Sequence, residues 1–291
     1  MLSIIISSYQ KIYYDQLVKN IGETIGDIFQ YEIIQVWNPA LMSITQAYNQ
    51  GADKAKYSSL LFLHEDIVFR TKNWGEKLIA HLSNKNTGII GVAGSSYVPA
   101  APSSWTVSPQ YNFVNILQGS KANTDSFHIH TTKENMNKVF AVDGVFLAIK
   151  QENYCNYKFN EGLKGFHGYD LDFSLRVSKH LQNYVVEDIL IEHFSKGNLD
   201  KIWLDSNIKI KQNLGSEFLI EIDSETEKKA FLSFLYKYFE YYPINKKNIF
   251  FTLQFYPLKR LRIKDHFVIA KKIFHYIKYS SDINKKLNTD T

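Results

Sequence analysis

Two acidic clusters in this sequence have the residue types and the setting needed for metal-assisted chemistry. In the first, Glu65 and Asp66 follow His64 and the apolar run of residues 60–63. Carboxylates at the mouth of a buried strand are held rigidly yet face solvent, which suits a hard divalent cation such as Mg²⁺ or Mn²⁺. A helix N-cap or a surface acid pair would explain the same spacing equally well.

The second acidic cluster consists of Asp170 and Asp172, which follow Gly168 and lead into an amphipathic segment. Two residues apart on a helix, these carboxylates lie on different faces and do not form a like-charged pair. We therefore expect one of them to face a binding crevice while the other caps the helix. The alternative is that both are caps.

Histidines supply the other candidate ligands. His193 follows an apolar strand pattern over residues 185–191, although a lone histidine is more often structural than a ligand. His128 and His130 lie in an irregular stretch, and their spacing is only a weak indication of a metal site. His64 could contact a phosphate or simply fill space.

The elements that must position these residues follow a β-α-β-α-β rhythm. Short β-branched or apolar runs alternate with segments of helical periodicity, which predicts parallel strands joined by crossover helices and an open α/β sheet. Ligands bind such sheets beyond the carboxyl ends of the strands. We therefore expect three strand ends to line one crevice, at residues 7–9, 37–39 and 64–66. The predicted strands are residues 2–7, 31–37 and 59–63, and the predicted helices are residues 15–29 and 43–56.

Farther along the chain the pattern is less regular. A helix over 74–82 and a strand over 88–93 precede a long loop over 94–125, and a loop of that length in a compact domain is usually functional or mobile. The next segments predict a strand-turn-strand unit, a glycine-punctuated turn and a further strand, over residues 139–149, 159–172 and 185–191. Beyond residue 215 the chain becomes helical, aromatic and basic. We divide it into a domain of residues 1–215 and an extension of residues 216–291.

Composition limits the class of protein. The chain has 291 residues, 45% hydrophobic and 22% charged, which is ordinary for a globular protein with a sizeable core. Its single cysteine, Cys155, excludes an internal disulfide and a cysteine-based zinc site and favours a reducing compartment. We find neither a membrane-spanning apolar run nor a basic leader, so we expect a cytoplasmic protein.

The net charge of +5 is unevenly distributed. Residues 244–291 contain eleven lysines and arginines against three aspartates, so the rest of the chain is slightly acidic. This asymmetry argues against a nucleic-acid-binding fold and favours a tail that meets an anionic surface. Residues 265–279 form an amphipathic helix with lysines on one side. This helix could lie on the inner face of the membrane or pack against the domain with a solvated basic edge.

Taken together and in order, these clusters resemble the family 2 type of glycosyltransferase with the GT-A fold, in the bacterial "glycosyltransferase like" branch with an altered first acidic motif. The resemblance covers roughly residues 1–200. It rests on a series of fragments, SIIISSY, ITQAYNQGADKAKYSSLLFLHEDI, GIIGVAGS, VDGVFLAI, FNEGLKGFHGYDLDFSLRV and EHFSKGN. It implies a Rossmann-like α/β domain with a mixed, mostly parallel sheet, followed here by a helical C-terminal extension.

The resemblance also implies roles for individual residues. The Asp-x-Asp motif corresponds to residues 64–66, so Asp66 would bind the metal and diphosphate, and the later histidine of the metal shell corresponds to His193. Asp170 corresponds to the base that activates the acceptor. The implied nucleotide-binding residues are Ser7, Tyr9, Asn38, Asn49 and Glu65, and those implied to lie beside the acceptor or donor sugar are Trp105, Asp143, Gly144 and Tyr169. Tyr111 and Phe166 are further candidates for stacking on a sugar.

We therefore expect an inverting, metal-dependent glycosyltransferase that uses Mn²⁺ or Mg²⁺, takes a nucleotide-sugar donor and extends a glycan or lipid-linked glycan of the bacterial surface. One alternative is a catalytically impaired nucleotide-sugar-binding protein, because His64 and Asn38 depart from the family pattern. A nucleotidyltransferase is less favoured, since residues 7–14 contain no glycine for a phosphate loop.

Overall fold

The computed structural model describes residues 1–120, 123–195, 197–215, 218 and 221–287. Its strands are β1 (Leu2–Ser8), β2 (Tyr31–Trp37), β3 (Ser59–His64), β4 (Ile67–Phe69), β5 (Thr87–Gly91), β6 (Ala93–Ser95), β7 (Asn112–Ser120), β8 (Asn123–His130), β9 (Met136–Val139), β10 (Ala141–Val142), β11 (Phe146–Lys150), β12 (Gln182–Val186) and β13 (Ile191–His193). Its helices are α1 (Lys11–Thr24), α2 (Ile44–Ala52), α3 (Trp74–Leu82), α4 (Gln151–Tyr157), α5 (Tyr169–Ser178), α6 (Lys201–Leu214), α7 (Ser224–Tyr241), α8 (Lys246–Leu253), a 3-10 turn (Leu258–Arg260), α9 (Ile263–Lys278) and α10 (Ser280–Leu287).

The main sheet has seven strands in the order β2-β1-β3-β11-β5-β12-β9. Strand β1 pairs in parallel with both β2 and β3, which confirms the predicted β-α-β-α-β unit. Strand β11 then runs antiparallel to β3 and β5, so the sheet is mixed as the resemblance implied. The mixed sheet with helices on both faces is the arrangement that the resemblance implied.

A second sheet, in the order β10-β6-β7-β13-β4, accounts for most of the differences from the predicted elements. The apolar run predicted as one strand over 88–93 divides into β5 and β6, and the run predicted over 185–191 divides into β12 and β13. In both cases the chain leaves one sheet and enters the other. The loop predicted over 94–125 is wrong in its second half, because β7 and β8 form an antiparallel hairpin there.

Apolar residues cover both faces of the main sheet. Alternate side chains of β1 enter two different clusters, with Ile4 and Ile6 packing under α1 and α3 while Ile5 packs under α2, α4 and α5. The Ser43 side chain caps α2 in a reciprocal capping box with Gln46, which fixes where that helix begins. This two-sided packing holds the carboxyl ends of β1 and β3 in place.

The C-terminal helices pack on the rest of the chain through an apolar cluster that also contains Leu204 and Ile208 of α6. A buried polar cluster reinforces this contact. The Glu227 carboxylate accepts hydrogen bonds from Tyr97 Oη at 2.9 Å and from the Ala100 backbone N–H at 3.0 Å, and it pairs with Arg260 at 2.7 Å. In the described ranges, no helix is both long and apolar enough to cross a bilayer.

Candidate active site

The end of β3 separates three consecutive polar side chains onto two sides. Side chains alternate along an extended chain, so His64 and Asp66 share a side while Glu65 points away. The Glu65 carboxylate accepts the backbone N–H groups of Tyr9 and Gln10, at 3.1 Å for the nearest oxygen of each, and so secures the β1–α1 connection. His64 and Asp66 are left on the side that faces the other candidate ligand.

Strand pairing brings His193 to Asp66 although the two are far apart in sequence. Strand β13 pairs antiparallel with β4 in the register His193 to Ile67, and the Phe194 backbone N–H donates to the Asp66 carbonyl at 3.2 Å. As a result, His193 Nε2 lies 3.7 Å from Asp66 Oδ1 and 3.0 Å from Ser195 Oγ. The His64 and His193 ring centroids are 5.9 Å apart.

The turn that connects β10 to β11 closes over the same point. Phe146 of β11 pairs with Leu63 of β3, so Asp143 and Gly144 lie next to His64. A Cβ atom on Gly144 would overlap the Tyr169 hydroxyl, which explains why this position needs glycine. That hydroxyl is 2.6 Å from His64 Nε2.

Helix α5 starts at this turn and presents Asp170 to it. Gly168 precedes the helix with a left-handed φ of 75°, which a residue with a side chain rarely adopts. The Gly144 backbone N–H donates to Asp170 Oδ2 at 3.1 Å. Asp172 instead pairs with Arg176 at 2.8 Å. Asp170 therefore lies at the turn, in agreement with the expectation that one of the two acids faces the crevice. The expectation that the other acid caps the helix is wrong, because Asp172 pairs with Arg176 and the N-cap position is Gly168.

Burial and the neighbouring charge of Asp143 raise the pKa of Asp170 to about 7. A carboxyl with a pKa near neutrality can accept a proton from a reacting hydroxyl and hold it, which is what a general base must do. Burial, with a smaller contribution from His193, lowers the pKa of His64, so its imidazole is neutral at pH 7. Neutral imidazole is the form that binds a metal.

The residues present fit a divalent cation. One ligand atom each from His64, Asp66 and His193 lies within 4.8 Å of the other two. Two imidazoles and a carboxylate are a donor set that binds first-row transition ions, and open positions would be left for phosphate oxygens. His64, which the resemblance treats as a departure from the motif, joins the cluster. From the sequence we predict no ligand role for His64; its i, i+2 spacing from Asp66 on a strand is the signal that could have pointed to one.

Two further nucleotide candidates lie in internal hydrogen bonds. The Asn38 amide both donates to and accepts from the Met42 backbone at 3.0 Å. Asn49 accepts from Tyr154 Oη and bonds the backbone of Phe159, so it joins α2 to α4 and the following turn. Glu65 likewise accepts the backbone N–H groups of Tyr9 and Gln10. Ser7 and Tyr9 are therefore the nucleotide-binding candidates that we propose below.

Ser7 and Tyr9 line a cavity of about 190 Å³ together with His64, Asp66 and Ser195. Tyr9 is 54% exposed there, so its ring face is accessible. Phe166, like Trp105 a candidate for stacking on a sugar, lines this cavity, whereas Trp105 lines another one. Ser7, Tyr9 and His64 lie at or just after the carboxyl ends of β1 and β3, so this cavity is at that edge of the sheet.

A second cavity, of about 500 Å³, opens on the other side of the cluster. It is bounded by Asp143, His193 and Ser195 and floored by Val114, Ile116 and Ile129 of the β7–β8 hairpin. Trp105 forms one wall and donates from Nε1 to Asp143 Oδ2 at 2.7 Å. Tyr111, the other stacking candidate, does not line this cavity: its ring stacks on that of Tyr97, with the ring centroids 4.7 Å apart.

His128 and His130, whose spacing was a weak indication of a metal site, each bond a neighbouring side chain in the structure. Their rings stack at 5.3 Å on strand β8, where His128 bonds Asn115 at 2.8 Å and His130 bonds Glu187 at 3.0 Å. Both therefore have structural partners.

Comparison with known proteins agrees with the geometry. The sequence profile of the glycosyltransferase-like family matches residues 3–222. The chain therefore belongs to the glycosyltransferase-like family. No curated protein sequence matches the chain.

Solved structures share the fold at low identity. The chain is similar to S. aureus TarS 1-349 in complex with UDP-GlcNAc, with 12% identity, a TM-score of 0.56, and coverage of 98% of this chain and 92% of that one. It is also similar to GalNAc-T7 with UDP, GalNAc and Mn²⁺, with 14% identity and a TM-score of 0.51. That match covers 89% of this chain but only 58% of GalNAc-T7.

Proposed function

We propose that the protein is an inverting glycosyltransferase that moves a sugar from a nucleotide-sugar donor to a glycan or lipid-linked glycan acceptor in bacterial surface polysaccharide synthesis. The observation that carries this proposal is the convergence of His64, Asp66 and His193 next to Asp170. Four side chains from three separate parts of the sequence lie together, and a donor diphosphate and an acceptor hydroxyl would have to meet there.

The residues divide the chemistry between them. His64, Asp66 and His193 would hold Mn²⁺ or Mg²⁺, of which the imidazole nitrogens favour Mn²⁺. When bound, the ion would neutralise charge that develops on the departing nucleoside diphosphate. Ser7 and Tyr9 would contact the nucleoside in the smaller cavity, with the Tyr9 ring available for stacking.

Asp170 is the proposed base. An acceptor hydroxyl that attacks the anomeric carbon from the face opposite the diphosphate loses its proton to the Asp170 carboxylate, and the configuration inverts. The Gly144 N–H fixes one carboxylate oxygen, so the other can reach the hydroxyl. Tyr169 would be a positioning residue: its hydroxyl bonds the His64 ring and so orients that ring toward the metal ion.

The acceptor would occupy the larger cavity. Asp143 carboxylate oxygens would flank its sugar, and the Trp105 ring offers an apolar face for stacking against it. The apolar floor supplied by the β7–β8 hairpin suits an acceptor with a lipid portion. We propose that residues 1–215 form the catalytic domain, that residues 216–291 form the extension, and that the enzyme works in the cytoplasm at the inner face of the membrane.

A thermal-shift screen of UDP-, GDP-, CMP- and dTDP-sugars, with and without Mn²⁺, tests donor binding. We expect one nucleotide class to raise the melting temperature, and Mn²⁺ to increase that shift. His193→Ala should remove the Mn²⁺-dependent part, while His130→Ala should keep it. Equal shifts in both variants would remove His193 from the metal site.

The same fold also allows a binding protein that has lost activity, and turnover separates the two. Purified protein with the selected donor and Mn²⁺ should release free nucleoside diphosphate, slowly by hydrolysis and faster when an acceptor is added. Tight donor binding without release, across lipid-linked and soluble glycan acceptors, would favour the impaired protein.

A further inference from the structure

Helix α9 has two apolar faces, and it uses only one of them inside the protein. Ile269 and Tyr276 are buried, and the Tyr276 ring packs against Phe239 of α7 at 4.9 Å. On the far side, Phe267 is 72% exposed and Phe274 is 65% exposed. An ordinary surface helix would present polar residues there.

The exposed apolar residues form a continuous stripe. Ile263, Phe267, Ala270, Phe274 and Ile277 are all exposed. At about 100° per residue they fall within a sector of roughly 80°, on the side opposite the buried face. At about 1.5 Å per residue the stripe is roughly 20 Å long.

A row of lysines borders this stripe. Lys264, Lys271 and Lys278 are exposed and repeat every seven residues, so they lie along one edge of it. In α9, all of whose residues the structure describes, Asp265 is the one acidic residue. It is 1% exposed and bonded to Ser224 and Arg262, so it adds no negative charge to the outer face.

We propose that this outer face of α9, comprising the apolar stripe and its lysine row, docks on the surface of an anionic lipid bilayer. A helix lying in the headgroup plane needs an apolar face to enter the acyl boundary and cations beside it to meet the anionic headgroups. The outer face supplies both along its full length. The buried side of α9 meanwhile anchors the helix to α7, so the protein docks as a folded unit.

A second copy of this chain fits the face less well than an anionic membrane does. The outer face of another copy would bring the same lysines and no carboxylate to pair with them. An anionic bilayer instead supplies apolar volume and opposite charge together. The docking rests on the proposed location at the membrane and names the surface that would reach it. It needs no donor or metal, so its test is separate from that of the transferase activity.

The test is co-flotation of the full chain with vesicles of phosphatidylglycerol and phosphatidylcholine, and with vesicles of phosphatidylcholine alone. Each lysine near an anionic surface contributes about fivefold to partitioning, so the triple variant Lys264→Gln, Lys271→Gln, Lys278→Gln should bind anionic vesicles roughly a hundredfold more weakly. The double variant Phe267→Ser, Phe274→Ser should lose at least about tenfold, because two exposed rings no longer enter the bilayer.

Two matched controls have the same chemical changes elsewhere. Phe127→Ser replaces a phenylalanine that is 62% exposed on strand β8, and Lys11→Gln, Lys19→Gln, Lys56→Gln removes three exposed lysines outside the extension. Both controls should float like the unchanged protein. Circular dichroism confirms that every variant is folded.

The proposal is overturned if the unchanged protein does not float with anionic vesicles, or if the outer-face variants float as well as the controls do. Sedimentation velocity identifies the competing partner. A dimer that dissociates in the Phe267→Ser, Phe274→Ser variant, without vesicle binding by the unchanged protein, would assign the face to a second copy.

Discussion

Two buried polar clusters in this molecule differ in whether a carboxylate is paired with a cation. In the cluster between the domain and the C-terminal helices, the Glu227 carboxylate has a guanidinium, a phenol and a backbone N–H as partners. In the crevice, Asp170 and Asp143 are two acids near each other. Within the described part of the chain, their hydrogen-bond donors are the indole of Trp105 and backbone N–H groups, and neither a lysine nor an arginine is bonded to them.

The difference separates a cluster that holds the fold together from one that is prepared for a ligand. A satisfied buried ion pair stabilises by fixing geometry, and breaking it leaves a charge unpaired. Two acids held together raise a pKa and reduce stability until something positive or a proton arrives. Variants in the first cluster should therefore change stability, and variants in the second should change chemistry.

The largest effect is expected from Asp170→Asn. An amide cannot take the acceptor proton, so the transfer rate should fall by about 10²–10⁴-fold while donor binding persists. Asp172→Asn, two residues along the same helix, is the matched control: it should lose stability through Arg176 and keep the transfer rate of the folded protein. Radiolabelled sugar transfer and isothermal titration with donor check both. Full transfer by Asp170→Asn would show that Asp170 is not the base.

Next in size is Arg260→Ala in the polar cluster beneath the C-terminal helices. Glu227, which is fully buried, would lose its cation, and we expect the free energy of unfolding to fall by about 3 kcal/mol. Urea denaturation measures this. The transfer rate per folded molecule should be unchanged, and a selective loss of transfer with normal stability would erase the distinction between the two clusters.

A smaller effect is expected from Tyr169→Phe. The variant keeps the ring but removes the hydroxyl that bonds His64 at 2.6 Å, so the His64 imidazole is less well oriented. Partners of this kind typically contribute 10–100-fold to metal affinity, and we expect about tenfold weaker Mn²⁺ binding. Tyr154→Phe, on α4, is the control. Unchanged Mn²⁺ affinity in Tyr169→Phe would mean that His64 does not depend on this contact.

A further effect of about tenfold, this time between two pH values, tests the assignment of Asp170. With a pKa of about 7, the carboxylate is the minor form at pH 6 and the major form at pH 8, so kcat/KM should rise about tenfold between them. Stability should change in the opposite direction. A raised carboxyl pKa means that the folded state binds the proton more tightly, so the free energy of unfolding falls as pH rises from about 4 to 7. Asp170→Asn should lack both dependences in kinetics and thermal melts.

The sequence predicted the first half of the fold well, for a physical reason. Strands β1 and β3 are apolar runs that are buried along nearly their whole length, so local pattern and final environment agree. Strand β2 lies at the edge of the sheet and is half-buried, and its β-branched residues and neighbouring helices were enough to predict it. The divided strands were missed because an apolar run that passes from one sheet to another looks like one strand. The β7–β8 hairpin was missed because the prolines and serines before it are typical of a loop, and the predicted loop was extended over the first strand of the hairpin.

The sequence predicted which residues belong to the site better than it predicted the contacts between them. Asp66, Asp170 and His193 could be proposed from order along the chain, but their meeting depends on the pairing of β13 with β4, which no local pattern records. Asn38 follows β2 and Asn49 lies within α2, and the amides of both bond other groups inside the fold, which their place in the sequence does not show. For α9, the sequence shows an amphipathic helix, while only packing shows that Ile269 faces inward and Phe267 outward.

The most direct test of the account is a Mn²⁺ titration followed by electron paramagnetic resonance, with the unchanged protein and with Asp66→Asn. Bound Mn²⁺ loses its free-ion signal, so the titration needs no donor or acceptor. We expect one tight Mn²⁺ site in the unchanged protein and at least a tenfold loss of Mn²⁺ affinity in Asp66→Asn. Equal Mn²⁺ binding by both proteins, or none by either, would contradict it.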